Sequence, residues 1–181
     1  MNEKLIKFTL PFPATEQSSP DLAPSFADAP TKIRILVAED DPVSRTLIST
    51  RLEKWGYEAV VANDGAEAMA LLRRRDAPTL AILDWSMPQM DGLEICRRLR
   101  EADRLAYVIM LTARSSNENM IEGLRGGADE YLVKPFDPEQ LQTRILVGLR
   151  VMALQETLAA RVRQLEAAAT EIEALKLQIP L

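Results

Sequence analysis

Glu39, Asp40, Asp84, Thr112 and Lys134 are the residues whose types and spacing could do chemistry. Each follows a short apolar run. Ile33–Ala38 leads into Glu39-Asp40-Asp41, Leu80–Leu83 into Asp84, Tyr107–Leu111 into Thr112, and Glu130–Val133 into Lys134. If the runs are adjacent strands, Glu39, Asp40 and Asp84 place three negative charges within several Å, and carboxylates that close resist joint ionisation. Lys134 offsets one charge, and a divalent cation would offset the other two. An all-oxygen donor set suits Mg²⁺ or Mn²⁺, and Mg²⁺ commonly takes one or two carboxylates together with a phosphate oxygen. A carboxylate can itself be the nucleophile that forms an aspartyl phosphate. Asp84, at the tip of the middle run, is the central candidate. A cation and Lys134 would neutralise charge on the transferring oxygens, which is most of what phosphoryl transfer requires. The Thr112 hydroxyl can donate to one of those oxygens.

The elements that must position these groups alternate. Ile33–Ala38 reads as a strand, and Asp41-Pro42 as an N-cap followed by Pro at the first helical position. The helix that follows stops at Gly56. Ala59–Ala62 is a second strand, and a helix over Ala66–Arg74 leads to the strand ending in Asp84. Leu93–Arg100 is helical, Tyr107–Leu111 a strand, 117–125 a helix closed by Gly126-Gly127, and Glu130–Val133 the fifth strand. Asp137-Pro138 opens the last helix with the same cap pattern. Strands alternating with helices at short connections predict an α/β doubly wound fold with a parallel sheet. The flavodoxin-like order 2-1-3-4-5 makes strands 1, 3, 4 and 5 neighbours, with ligands beyond their carboxyl ends.

Composition narrows the function. The 181 residues contain no His, which excludes His catalysis and His-ligated metal within this chain, and one Cys, which excludes an internal disulfide. That cysteine usage favours a cytoplasmic setting. A net charge of −5 argues against nucleic-acid or anionic-membrane binding, and no apolar run approaches the roughly 20 residues of a membrane span. Residues 1–31 read as a mostly disordered arm, rich in Pro and Ser, although Leu5, Ile6, Phe8 and Leu10 could pair as a strand or dock on a partner.

Residues 32–150 closely resemble the receiver domain of two-component response regulators. The matching pieces are Ile35-Leu-Val-Ala-Glu-Asp-Asp-Pro42, Ile82-Leu-Asp-Trp-Ser-Met-Pro-Gln-Met-Asp-Gly92, Leu111-Thr-Ala113 and Tyr131-Leu-Val-Lys-Pro-Phe136. All four stand in order at the family's spacings. The resemblance implies that Asp84 accepts the phosphoryl group. It implies that Asp40 binds Mg²⁺ directly, Glu39 through water, and Ser86 through its backbone carbonyl. Thr112 and Tyr131 are implied as the switch pair, Lys134 as the phosphate partner, and Lys134-Pro135 as a cis peptide. Glu39 stands where the family more often has Asp, a change that keeps the charge. Ser86 and Arg114 occupy positions that tune dephosphorylation in the family. The implied partner is a separate histidine kinase or phosphotransfer protein, since this chain has no His to carry the group. The domain would catalyse only its own phosphorylation and dephosphorylation, without being a turnover enzyme.

Two other functions compete. An Asp-nucleophile phosphatase of the haloacid dehalogenase type needs a second Asp two residues on, where this chain has Ser86. A phosphorylation-independent docking scaffold would have no reason to keep both Asp84 and Lys134.

The tail over 147–181 carries a second pattern. Val151, Leu158, Leu165, Ile172 and Ile179 recur every seven residues, with Val147, Leu154, Ala168 and Leu175 in the second seam position and Arg161 interrupting it. This predicts a parallel two-stranded coiled coil and a homodimer. With no output domain before Leu181, the expectation is an output in trans, or in cis beyond these residues.

Overall fold

The computed structural model describes residues 32–113 and 116–176. The arm over 1–31, Arg114, and the tail past Lys176 with Ile179 lie outside the described residues. The strands are β1 (Arg34–Ala38), β2 (Glu58–Ala62), β3 (Leu80–Asp84), β4 (Tyr107–Thr112) and β5 (Glu130–Val133). The helices are α1 (Pro42–Lys54), α2 (Gly65–Leu72), α3 (Gly92–Glu101), α4 (Asn117–Arg125) and α5 (Pro138–Lys176). All strand pairs are parallel, in the order β2-β1-β3-β4-β5. The flavodoxin-like order expected from the alternation is the one observed.

Strand periodicity divides the core in two, because successive side chains point to opposite sheet faces. Ile35, Val37, Leu80, Ile82, Ile109 and Leu111 pack with Ile48 and Leu52 of α1 and with Leu141 and Ile145 of α5. Leu36, Ala38, Ala81, Leu83, Val108 and Met110 pack with Ala68, Met69 and Leu72 of α2 and with Leu93, Cys96 and Leu99 of α3. Every residue of β3 and β4 is buried, as central strands covered on both faces require.

Local chemistry starts the helices. Asp41, Asp64, Asp91 and Ser116 are N-caps. Their side chains accept from the backbone N–H of Ser44 (2.7 Å), Glu67 (2.8 Å), Glu94 (2.7 Å) and Asn119 (3.3 Å). Each such cap is worth about 1 kcal/mol. Asp41 is thus committed to capping, and its hydrogen bond from Ser44 holds its carboxyl below the usual aspartate value. The helix expected over Ala66–Arg74 ends earlier, at Leu72. There the Arg74 N–H closes a tight turn on the Leu71 carbonyl (3.2 Å).

The 39-residue α5 has two halves. Its first turns pack on the sheet through Leu141 and Ile145, with Leu149, Val151 and Met152 half-buried beside them. From Ala153 to Glu173 the side chains are exposed, apart from the half-buried Ala159 and Ala160. Val151, expected in the coil seam, is partly committed to the domain's own core. No helix among the described residues is long and apolar enough to cross a membrane.

Candidate functional site

The sheet register brings the sequence-predicted residues to one edge. Ala38 pairs with Leu83, Asp84 with Leu111, and Thr112 with Val133. Glu39, Asp84, Thr112 and Lys134 therefore leave the sheet side by side. Backbone bonds carry the pairing one step further: Trp85 N–H donates to Leu111 O (2.8 Å) and Lys134 N–H to Thr112 O (2.7 Å). The Lys134–Pro135 peptide is cis.

Lys134 Nζ donates to Glu39 Oε2 at 2.6 Å and lies 3.1 Å from Asp84 Oδ1. Glu39, Asp40 and Asp84 each place one carboxylate oxygen within 4.8 Å of the others'. Glu39 and Asp84 are buried and Asp40 is exposed at the mouth. Burial pushes the Glu39 carboxyl up, with the neighbouring Asp84 charge adding to it, against the lowering effect of the Lys134 hydrogen bond. Burial likewise pushes Asp84 up, only partly countered by Lys134. For Lys134, burial works to lower the pKa, but the Glu39 hydrogen bond and the two carboxylate charges prevail and hold it above the ordinary lysine value. One ammonium thus contacts two carboxylates of a cluster of three. The donor set fits a divalent cation: oxygen only, surplus negative charge, and one ligand open to solvent.

The remaining predicted residues sit around this centre. Thr112 is buried at the end of β4, one strand over from Asp84. Ser86 is exposed in the loop two residues beyond Asp84. Tyr131 is buried on β5 and stands edge-on to Trp85, with ring centroids 6.2 Å apart and planes at 84°. Tyr131 is therefore behind the carboxylates, connected to them through the residue next to Asp84.

Two supports were not read from the sequence. Arg45 of α1 donates through one Nη1 to Glu39 O (2.7 Å) and Asp40 O (3.1 Å), pinning the acidic loop from below. Its placement on the first turns of α1, just after the acidic run, was the available signal. Gly92 opens α3 against the loop after β3, where a Cβ would lie 2.4 Å from the Asp84 carbonyl oxygen. Only glycine allows that approach.

Residues 35–146 match the family model described as the response regulator receiver domain. The chain belongs to that family. Among curated relatives, it is 43% identical over 119 residues to the probable transcriptional regulator ycf27 of Porphyridium aerugineum, covering 66% of this chain and 49% of that one. It is 43% identical over 118 residues to response regulator MprA of Mycobacterium leprae, covering 65% and 51%. The chain spans about half the length of the curated relatives it matches. Among solved structures, the receiver domain of Francisella response regulator 1452 is similar at 36% identity and TM-score 0.64, covering 67% of this chain and 99% of that one. The BeF3-activated DrrB receiver domain is similar at 32% identity and TM-score 0.58, covering 66% and 98%.

Proposed function

We propose that this receiver is a phosphorylation-controlled switch with Asp84 as the phosphoacceptor. The supporting observation is the Lys134 ammonium held between Glu39 and Asp84, at 2.6 and 3.1 Å, in a cluster that still carries excess negative charge. Asp40 and Asp84 would hold Mg²⁺ or Mn²⁺ directly, Glu39 through water, and Ser86 through its backbone carbonyl. The ion supplies charge neutralisation on the phosphoryl oxygens. An Asp84 oxygen attacks phosphorus, and the bond to the donor's imidazole nitrogen or acyl oxygen breaks, its electron pair leaving with the donor. Lys134 offers its ammonium to one transferred oxygen, and Thr112 its hydroxyl to another. Their engagement draws Thr112 inward and biases the Tyr131 rotamer beside it.

The donor is a separate histidine kinase, a phosphotransfer protein or a small acyl phosphate, since the chain has no His. An apolar recess of about 360 Å³, lined by Ser44, Leu47, Ile48, Lys134, Pro135 and Phe136, supports docking of the donor protein over α1. The domain works in the cytoplasm, catalyses only its own phosphorylation and dephosphorylation, and passes its state through α5. The exposed apolar run of α5 supports a homodimeric coiled coil over 147–181 as that relay. The transcriptional regulators among the relatives make gene regulation one candidate output.

Incubation with acetyl phosphate and Mg²⁺, read by intact mass, tests the reading. One phosphoryl group should add to the native protein and none to Asp84→Asn. Equal labelling of both would move the acceptor elsewhere.

A further inference from the structure

Resting on the dimer proposed above, we infer the seam through which a second copy of this chain pairs with α5. The two helices run parallel and meet along Leu154, Leu158, Val162, Leu165 and Ile172, and Val162 takes the place that strict seven-residue spacing gives to Arg161. The exposed large apolar residues draw this line. Leu154 is 62% exposed, Leu158 65%, Val162 44%, Leu165 70% and Ile172 54%.

Strict spacing would set Arg161 against its own counterpart in the centre of the pair. Two like charges would then be desolvated with no acceptor, which is strongly unfavourable. The step of four from Leu158 to Val162, and of three from Val162 to Leu165, avoids this. Leu165 and Ile172 remain in the seam, and Ala168 and Ala169 are interchangeable at the next position. A spacing of 3-4-4-3 from Val151 to Leu165 is a stutter, which locally unwinds the supercoil.

Charge complementarity selects the partner and its direction. With Val162 in the seam, Arg161 flanks it on one side, and Glu166, five residues on, flanks it on the other. In a parallel pair these two positions face each other across the interface, so each copy's Arg161 meets the other's Glu166. Under strict spacing Glu166 points outward. In an antiparallel pair like flanks meet instead, so Arg161 would not face Glu166. Within its own helix the Arg161 contact described is to Gln164 Oε1, at 3.4 Å on the exposed surface.

The test uses the full chain with single cysteines at Leu158, Arg161 or Val162, oxidised mildly. Native Cys96 is buried and should stay silent. Leu158→Cys lies in both seams and reports whether a parallel dimer forms. Val162→Cys should crosslink about tenfold faster than Arg161→Cys, because a disulfide needs Cα atoms within about 7 Å. Equal or reversed rates would overturn this seam and leave the dimer standing. No crosslink at Leu158→Cys, with a monomer by light scattering, would overturn the dimer itself. In a second arm, Arg161→Glu and Glu166→Arg chains carrying different tags are mixed. Heterodimers should rise well above the statistical half and approach all of the dimer, and a random mixture would refute the facing pair.

Discussion

Lys134 is the only cation among the described contacts that reaches the carboxylates of Glu39 and Asp84, and removing it exposes what the site is built to hold. Lys134→Ala should destabilise the metal-free protein by about 2 kcal/mol, since two buried carboxylates lose their shared partner. Urea denaturation in EDTA and in Mg²⁺ checks this, with the loss smaller in Mg²⁺. Proton linkage gives a second prediction. Glu39 and Asp84 are raised above their ordinary values of 4.5 and 3.8, so the folded protein binds protons that the unfolded chain has released. Stability of the metal-free protein therefore falls as pH rises through that window. The Lys134 contribution, raised from 10.5, is fully present below that value and is lost only above it. The melting-temperature gain from Mg²⁺ should accordingly grow as pH rises above the ordinary carboxylate values, where the cation replaces protons held on Glu39 and Asp84. A gain independent of pH would count against cation binding by these carboxylates.

At the scale of elements, α4 lies close to the aromatic pair behind the site. A Cβ at Gly123 would stand 3.1 Å from Trp85 Cζ3 and 3.2 Å from Tyr131 Cδ2. Gly123→Ala should push α4 outward, cost about 1–3 kcal/mol and alter Trp85 emission, checked by denaturation followed through fluorescence. α3 makes the opposite case of a closed interior: burial pushes the Cys96 thiol up to about 12. Iodoacetamide should modify Cys96 only as the domain unfolds, so its rate tracks global opening. The elements themselves were legible because their signals are local. Asp41, Asp64 and Asp91 sit where caps must sit, and the apolar runs end at the charged tips that the sheet then aligns. Arg45 under the acidic loop, the Trp85–Tyr131 contact and the partial burial of Val151 were not legible. Each depends on which distant surface comes near, and periodicity along the chain does not carry that information.

At the scale of the molecule, one helix serves both the domain and its extension. Leu141 and Ile145 anchor α5 to the sheet face shared with α1, and the same helix runs on past Met152 with its apolar residues exposed. The helix that starts beside Lys134 is therefore continuous, from Pro138 on the sheet to Lys176 at its far end. The sequence period announced the extension but not where the domain releases it.

Titration with Mg²⁺ and beryllofluoride, followed by Trp85 emission, tests the central claim most directly. Saturable change in the native protein that requires both components, and is lost in Asp84→Asn, is the predicted result. An unresponsive native protein, or an Asp84→Asn variant that responds equally, would contradict it.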